Sequence, residues 1–572
     1  MYISATESKG EIHVWERDQN GLHHHIHPAE NYTYLFMRDN TGTGEFKDLY
    51  GNPMKKVPFK DRRTLQEFAR NRQDIVAESD VPLTYRFLLD EYSDTEVNSP
   101  YHVAYYDIET DFDLSEGLGY PVPEKPHGEI NSFSVFDSAK KEYTMIFRHH
   151  LEDEVGVLED DEYPVNILYA KSEWEMLHLF REVIEDSDIL AAWNGDGYDL
   201  PYIIERLKVY MPEKEAASFL CRGGFPAKRR DFVDDMGNET WEWTLHGRCH
   251  LDMMKLFKKF HPSEQMSFAL ASICEEFLGE SKIEFEDDLG SLYRENPRKF
   301  FEYSLHDSRL LMWLDRKMEV IKLAMMLARN HCVLPSDVCG SIKTIENGFI
   351  KFCRANGNIV LPDKQSPDKE SFDGAVVYDT LSGRFGYQST IDLTALYPSC
   401  MMLLGLSTET YIYQLANRYE DYIAVMSDSD EMVEIYDVNT NERLMAKAAD
   451  IHQMIIDDGL CISANGSIFN GEMGLLSAYV KETFEMRKHY KKLMKTAETQ
   501  TEREQHDLFQ KVLKIVCNSL YGAISNQFFR LFNIELARSI TGTARCISKF
   551  QATMANDLVD ELVDMKERGE LY

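Results

Sequence analysis

Apolar and polar positions form short alternating segments in the first half of the chain and long helical patterns in the second. An apolar, aromatic strand ending in acids, VAYYDIE, is predicted at 103–109, and a buried strand, DILAAWN, at 188–194. Helical spacing covers 297–327 over many turns. Because strand-like and helix-like segments alternate from about 103 to about 320, this region is predicted to be an α/β domain.

Beyond Pro362 the sequence predicts strands again, in FDGAVVYD at 372–379 and GYQSTIDLTALYPS at 386–399. From about 474 two long helical patterns follow, separated by a polar turn rich in Gln, Glu and Thr. A last amphipathic pattern runs from 546 almost to the end. The second half is therefore expected to combine strands with long helices.

Composition excludes several classes of protein. The 572 residues exceed what one hydrophobic core fills, about 250 to 300 residues, so several domains are expected. The formal charge of −35, from 62 Lys and Arg against 97 Asp and Glu, argues against unspecific binding to a polyanion. No apolar run approaches the about 20 residues of a membrane span. The ten cysteines stand singly, which predicts reduced, mostly buried thiols.

Four histidines, His23, His24, His25 and His27, lie close together near the start of the chain. Such a group can bind a metal ion, but it lacks cysteines and the helical i, i+4 spacing of common metal sites. A solvated loop is therefore predicted here.

Acidic residues provide the first candidate chemistry. Asp107 and Glu109 stand at i and i+2 of a predicted strand, so both side chains point to one face, as two-metal hydrolysis requires. A single D-x-E pair is weak evidence, because most such pairs are solvated strand ends. Asp199 follows the second predicted strand, and Asp307 stands four residues after Tyr303 on the same helical face.

The order of these motifs carries more weight than any one of them. D-x-E, N-x-x-x-(F/Y)-D and Y-x-x-x-D follow one another at intervals of about ninety and about one hundred residues, and in this order the sequence resembles the DEDDy class of 3′-to-5′ exonucleases. The resemblance implies that Tyr303 orients the attacking water and that Asn194 opens the second motif. It also implies two Mg²⁺ or Mn²⁺ ions, for which oxygen ligands are apt. Their ligands would be Asp107, Glu109, Asp199 and Asp307.

A second constellation begins at Asp392, which ends a predicted strand before a tight turn. The N–H groups of such a turn can face an anion while the acid binds a cation, although a purely structural turn cap is as good an explanation. Arg487 and Lys491 share one helical face, as do Lys514 and Asn518. If the two helices pair antiparallel, these groups suit a triphosphate. Otherwise RKHYKK is a solvated basic face.

The surrounding sequence makes this second site more specific. DLTALYPS is similar to motif A and KIVCNSLYG to motif B of the family B DNA polymerases, and FEMRKHYKK resembles the helix that precedes motif B. KDLYG at 47–51, SIKTIEN at 341–347 and FDGAVV at 372–377 extend the resemblance over essentially the whole chain. Within this family, the sequence resembles the replicative DNA polymerases of T-even-type bacteriophages.

This resemblance implies a role for each residue of the second site. Asp392 would bind a catalytic metal ion, and Tyr397 would lie under the incoming sugar and exclude a 2′-hydroxyl. Tyr521 and Gly522 would lie beside the nascent base pair. Ala395 replaces the usual Ser of motif A with little expected loss, because the contact would come from the backbone N–H. The triphosphate contacts would be Arg487, Lys491, Lys514 and Asn518.

The resemblance also implies a multidomain α/β and α+β fold. It would contain an RNase H-like 3′–5′ exonuclease domain, a β-rich N-terminal domain, part of a palm with a ferredoxin-like sheet, and helical-hairpin fingers. The implied segments are the N-terminal domain at 1–102, the exonuclease domain at 103–319, a return segment of the N-terminal domain at 320–372, the first palm part with motif A at 373–473, the fingers with motif B at 474–526 and an incomplete second palm part at 527–572.

One part of the family pattern is missing from the sequence. The family supplies a second palm carboxylate from a D-T-D hairpin, motif C, soon after motif B, and no such hairpin follows Gly522. The later acids, Asp557, Asp560 and Asp564, fall in an amphipathic helical pattern. The chain is therefore interpreted as the N-terminal part of a split polymerase, and a chain cut at this point for expression is the alternative.

The predicted function combines 3′–5′ proofreading by the chain alone with template-directed dNMP addition once a second polypeptide supplies motif C and a thumb. DNA primer–template and dNTP are the expected ligands, and a sliding clamp is expected to bind through the second chain. The expected place of action is the cytoplasm of an infected bacterial host, with no membrane involved. Two alternatives stay open. One is an exonuclease with a vestigial palm; the other is a regulator binding single-stranded nucleic acid or RNA, for which the 30 tyrosines would suit base stacking.

Overall fold

The computed structural model describes residues 2–72, 75–93, 100–112, 119–233, 237, 239–261, 264–280, 282–283, 288–365, 374, 383 and 392–568. Within these ranges the strands are β1 Tyr2–Ser8, β2 Glu11–Asp18, β3 Gly21–Pro28, β4 Tyr34–Arg38, β5 Phe46–Lys47, β6 Pro53–Pro58, β7 Val76–Ala77, β8 Val103–Thr110, β9 Ile130–Asp137, β10 Glu142–Arg148, β11 Val165–Ala170, β12 Ile189–Ala192, β13 Lys228–Val233, β14 Glu239–Thr244, β15 Cys249–Asp252, β16 Tyr411–Leu415, β17 Met432–Asp437, β18 Arg443–Lys447, β19 Cys461–Ile462 and β20 Ser467–Phe469. The α-helices are α1 Arg62–Ala69, α2 Leu83–Tyr92, α3 Glu152–Val155, α4 Glu173–Val183, α5 Asp199–Tyr210, α6 Glu213–Ser218, α7 Met253–Phe260, α8 Leu270–Leu278, α9 Leu289–Glu295, α10 Pro297–Met318, α11 Val320–Asn330, α12 Ser341–Ala355, α13 Leu396–Leu404, α14 Tyr419–Met426, α15 Ala448–Asp457, α16 Leu475–Thr496, α17 Gln500–Ile524 and α18 Ile534–Glu567.

The chain divides into two compact units. The first contains residues 1–33, 58–61 and 81–340, and the second contains residues 34–57, 62–80 and 341–572. The six segments predicted from the sequence stay a prediction; they do not subdivide these units, because 1–102 and 320–372 each contain residues of both.

A six-stranded sheet of order β11-β10-β9-β8-β12-β15 organises the first unit. β8 is antiparallel to β9 and parallel to β12, so it lies inside the sheet. Its residues Ala104, Tyr106 and Ile108 join a buried apolar cluster with side chains of α4 and α5. Because side chains alternate along a strand, Asp107 and Glu109 point to the opposite face. That face is the one that α10 covers.

Small side chains allow α10 to approach the sheet closely. The hydroxyls of Ser304 and Ser308 hydrogen-bond those of Ser132 and Ser134 on β9, at 2.9 and 2.6 Å. These four serines are fully buried, so each hydroxyl needs a partner within the protein. These serine pairs hold one face of α10 against β9. Because α10 carries Tyr303 and Asp307, they also fix the position of these two residues relative to the sheet.

The local predictions for this unit are confirmed in part. The strands expected at 103–109 and 188–194 are β8 and β12. The single helix expected at 297–327 is instead two helices, because Glu319 adopts a left-handed conformation with φ +55° and ends α10. The prediction of a loop for the four histidines is wrong. His23, His24, His25 and His27 lie on β3, which pairs with β2, because backbone pairing there outweighs the polarity of the side chains.

The second unit combines a sheet with long helices, as expected. Its five-stranded sheet has the order β18-β17-β16-β20-β19, and a four-stranded sheet of order β5-β6-β4-β7 lies in the same unit. α16 and α17 form the predicted antiparallel hairpin, in which Tyr490 stacks on Phe509 at 4.7 Å. A capping box of Thr499 and Glu502 begins α17. FDGAVV and GYQST lie almost entirely outside the described residues. The strand prediction for 386–399 is wrong at its end, because residues 396–399 form the first turn of α13.

Two general expectations can be compared directly with the structure. All ten cysteines are unpaired and most are buried, as predicted. In the part of the chain that the structure describes, no helix is long and apolar enough to cross a lipid bilayer.

Candidate active sites

Three carboxylates predicted to act together do meet in the first unit. Asp107 and Glu109 come from β8 and Asp307 from α10, and one oxygen of each lies within 4.8 Å of the others. Asp307 is buried, whereas Asp107 and Glu109 are partly exposed and can be reached from solvent. Within the described ranges, no other group of three or more His, Cys, Asp or Glu side chains gathers in this way.

Asp199 lies beside this cluster but outside the group of three. It is the first residue of α5 and is 3% exposed. Its Oδ1 accepts a hydrogen bond from the backbone N–H of Ile108, between Asp107 and Glu109, at 3.3 Å. The fourth predicted carboxylate is therefore tied to β8 through the backbone.

Lys282 is a site residue that the sequence did not indicate. Its ammonium group donates to the Tyr303 hydroxyl at 2.9 Å and to Oδ2 of Asp307. The Tyr303 hydroxyl also hydrogen-bonds Asp307. Lys282 belongs to the connection between α8 and α9, where neither spacing nor periodicity distinguishes it from other surface lysines.

Crowding of the acids changes their protonation. Burial, followed by the charges of the neighbouring carboxylates, raises the pKa of Asp107 and raises that of Glu109 to about 8. Burial likewise raises the pKa of Asp199 to about 7. Burial alone would lower the pKa of Lys282, but Asp307 and its neighbours outweigh this and raise it, so the lysine stays charged. The raised pKa values mean that these carboxyl groups bind protons more readily than usual. A divalent cation would compete with those protons for the carboxylate oxygens.

The donor set fits a hard divalent cation. Oδ1 of Asp307 is buried and has no hydrogen-bond partner among the described residues. A buried carboxylate oxygen without a partner is costly, and a metal ion would satisfy it. Carboxylates are the ligands that Mg²⁺ and Mn²⁺ prefer.

The second candidate site is a pocket of about 430 Å³ in the second unit. Tyr397 and Pro398 of α13 face Asn518 and Tyr521 of α17 across it, and the rings of Tyr397 and Tyr521 lie 4.5 Å apart. The sequence motifs indicated these tyrosines. They did not indicate the third wall, which α18 supplies with Thr541, Ala544, Arg545 and Ser548.

Motif A enters this pocket through an unusual backbone turn. Ala395 has φ +57° and is the N-cap of α13, with no side chain to cap the helix. A residue with a Cβ in the left-handed region costs about 1 kcal/mol or more, so the turn is held by its surroundings. Asp392 lies three residues earlier and is exposed.

The residues predicted to contact a triphosphate lie in different surroundings. Arg487 is half-buried on α16, and its Nε has no hydrogen-bond partner among the described residues. Lys491 and Lys514 are exposed, and of these four predicted contacts only Asn518 lines the pocket. Gly522, predicted to lie beside the nascent base pair, is exposed. The convergence of the three cations stays a prediction. Asp557, Asp560 and Asp564 are exposed on α18.

Two family models match the chain and define its class. The exonuclease domain of DNA polymerase family B matches residues 64–273, and DNA polymerase family B matches residues 339–569. The chain therefore belongs to the family B DNA polymerases and includes an exonuclease domain of that family.

Particular relatives can be named beside these matches. The DNA-directed DNA polymerase of Escherichia phage RB69 is 23% identical in an alignment that covers 91% of this chain and 62% of the relative. The DNA-directed DNA polymerase of Enterobacteria phage T4 is 24% identical in an alignment that covers 87% of this chain and 60% of the relative. The DNA polymerase delta catalytic subunit of Caenorhabditis elegans is 26% identical in an alignment that covers 66% of this chain and 33% of the relative. The chain thus spans about three fifths of the length of the two phage polymerases.

Proposed function

We propose that this chain removes nucleotides from the 3′ end of DNA and, when completed by a further polypeptide, adds dNMP units to a primer on a DNA template. The observation that carries the proposal is the group of Asp107, Glu109 and Asp307 beside Tyr303 and Lys282. Family membership and the phage relatives support the same conclusion. The proposed place of action is the cytoplasm of an infected bacterial host.

In the exonuclease reaction, the carboxylates of Asp107, Glu109, Asp199 and Asp307 would hold two divalent ions. Such ions activate a water for attack on a phosphodiester and stabilise the leaving 3′-oxygen. Tyr303 would orient the attacking water through its hydroxyl. Burial and the nearby acids raise the pKa of Tyr303, which keeps its proton on the ring oxygen. Lys282 donates to that oxygen and so restricts the direction in which the hydroxyl can hydrogen-bond.

In the polymerase reaction, the residues of the second unit would bind the incoming dNTP. Asp392 would hold a metal ion next to the phosphates, and the N–H groups at the start of α13 would face them. Tyr397 would lie under the sugar and Tyr521 and Gly522 beside the new base pair. The charges of Arg487, Lys491 and Lys514, with the amide of Asn518, would neutralise and orient the triphosphate before the primer 3′-hydroxyl attacks.

This second reaction needs groups that the described residues do not supply. Asp392 is not part of any group of three metal-ligating side chains in the described part of the chain. A further polypeptide carrying motif C and the thumb would provide the second metal carboxylates and the grip on duplex DNA. A sliding clamp would bind through that polypeptide.

The test uses the purified chain with a 5′-labelled primer on a longer template, Mg²⁺ and all four dNTPs. Stepwise shortening without extension is expected, and its loss is expected in the matched variant Asp107→Asn/Glu109→Gln and in EDTA. No shortening by the unsubstituted chain would contradict the exonuclease proposal. Extension by the chain alone would show that no further polypeptide is needed.

An exonuclease with a vestigial palm is the second candidate function. Asp392 is exposed and, among the described residues, belongs to no group of three metal-ligating side chains, which favours this candidate. Under this alternative, Asp392→Asn leaves both nuclease activity and dNTP affinity unchanged. Under the main proposal, it weakens dNTP binding in the presence of divalent ions.

A further inference from the structure

The loop that precedes Asp199 is held by side chains of β15, a strand that contains none of the sequence motifs. Residues 193–198 connect β12 to α5, and β15 lies beside β12 in the sheet. Two side chains of β15 hold this loop, His250 and Asp252, and both are buried. Neither was among the predicted site residues.

His250 connects the loop to the strand that carries the metal-ligating acids. Its Nδ1 lies 2.8 Å from Oδ1 of Asp196 in the loop, and its Nε2 lies 3.0 Å from the hydroxyl of Tyr106, next to Asp107 on β8. Burial would raise the pKa of Asp196, but His250 and Lys255 lower it to about 2, so Asp196 accepts as a carboxylate. Nδ1 therefore carries the hydrogen, which leaves Nε2 to accept from Tyr106 when the ring is neutral.

The backbone of this loop packs closely against the ring of His250. A Cβ atom on Gly195 would lie 2.9 Å from both Cε1 and Nε2 of His250, so only glycine permits this approach. Asp252 accepts from the backbone N–H groups of Asn194 and Asp196 at 3.2 and 3.4 Å. Asn194 itself has φ +59°, a conformation that these contacts maintain.

We propose that His250 is a positioning residue of the exonuclease site, which acts through Asp196 and Tyr106 to fix the Asp199 carboxylate relative to Asp107 and Glu109. The inference rests on the proposed exonuclease function. Four carboxylates can share two ions only if their relative positions are set in advance, and Asp199 is the one that stands outside the close group. His250 joins the inner part of this loop to the middle of β8 through Tyr106, whereas Tyr198 at the end of the loop bonds Thr110 at the end of β8, at 3.0 Å.

The test measures Mn²⁺ affinity from the electron paramagnetic resonance signal of the free ion, together with kcat and KM on single-stranded DNA. Asp107→Asn/Glu109→Gln identifies the ions bound at this site. Tyr106→Phe and His250→Leu each remove the link, and His250→Asn retains a donor for Asp196. Tyr105→Phe is the matched control, because it also removes a buried tyrosine hydroxyl from β8, one bonded to Asp315 at 2.6 Å.

Tyr106→Phe and His250→Leu should weaken Mn²⁺ binding at the site about tenfold and lower kcat, with KM for DNA unchanged. His250→Asn should recover part of the loss, and Tyr105→Phe should leave the Mn²⁺ affinity unchanged. Equal Mn²⁺ affinities of Tyr106→Phe and Tyr105→Phe would overturn the inference, even if His250→Leu fails to fold. Weakened Mn²⁺ binding in a chain that never shortens DNA would overturn the exonuclease function and support the positioning role.

Discussion

The ammonium group of Lys282 donates a hydrogen bond to the hydroxyl of Tyr303 at 2.9 Å and also contacts Asp307. A lysine from a connecting segment thus lies among acids that come from β8 and α10. It balances part of their negative charge and holds the tyrosine proposed to orient water.

Replacing this lysine should separate catalysis from metal binding. Lys282→Met keeps the length of the side chain but removes the charge and the donor, so we expect kcat of DNA shortening to fall about 10²-fold. Mn²⁺ affinity should stay equal or rise, because the acids lose a competing cation. A parallel loss of Mn²⁺ affinity would show that Lys282 is needed only for the structure of the site. Lys282→Arg is the control that retains charge.

Two lysines of α17 provide a test of the second site. Lys514 is exposed on the face shared with Asn518, whereas Lys511 on the same helix is paired with Asp507 at 2.8 Å. Lys514→Ala should weaken dNTP binding about tenfold, since a charge-assisted contact to phosphate is lost. Lys511→Ala should leave the affinity unchanged. Calorimetric titration with dNTP in Ca²⁺ measures both, and equal affinities would refute the role assigned to Lys514.

A buried ion-pair network should dominate the stability of the second unit. Arg530 is almost completely buried, and it donates to Asp80 at 2.7 Å, to the backbone oxygen of Pro362 at 2.7 Å and to Glu346 at 3.0 Å. Arg530→Met would remove the cation paired with Asp80 and one of the two cations paired with Glu346, which keeps Lys364 at 3.0 Å, and we expect it to cost about 3 to 5 kcal/mol.

The exposed pair of Arg443 and Glu434, at 3.3 Å, offers the matched comparison. Arg443→Met should change stability by less than about 1 kcal/mol. Calorimetric unfolding of both variants against the unsubstituted chain measures the difference. Similar unfolding temperatures for the two variants would contradict the proposed importance of the buried network.

Asp315 should make the first unit less stable as the pH rises. Burial, the largest cause, raises the pKa of Asp315, which accepts from Tyr105 at 2.6 Å and from the N–H of Ile321 at 3.0 Å. An acid whose folded-state pKa exceeds its unfolded value of about 3.9 favours folding most fully below that value. This contribution is lost as the pH rises through the raised folded pKa.

Asp315→Asn keeps the shape and cannot ionise, so its unfolding temperature should decline less between pH 5 and pH 8 than that of the unsubstituted chain. Scanning calorimetry at both pH values gives the comparison. An identical decline in the two proteins would show that Asp315 does not ionise over this range.

Local patterns of the sequence sufficed for many of the elements. The period of two along β8 put Asp107 and Glu109 on one face, and the spacing of four put Tyr303 and Asp307 on one face of α10. These relationships depend only on backbone geometry within one element. The joint order of the motifs then indicated the class of enzyme, which the family matches support.

Tertiary structure alone decided which groups complete the first site. No sequence pattern around Lys282 or His250 indicates a functional role. Lysines are common in connecting segments, and a single histidine in a short buried strand is also ordinary. Their place depends on how the chain returns to the sheet over distances of tens to hundreds of residues. The left-handed turn at Glu319 and the strand formed by the four histidines were likewise set by packing and pairing. Sequence periodicity describes one secondary-structure element at a time, whereas a catalytic site combines side chains from several elements.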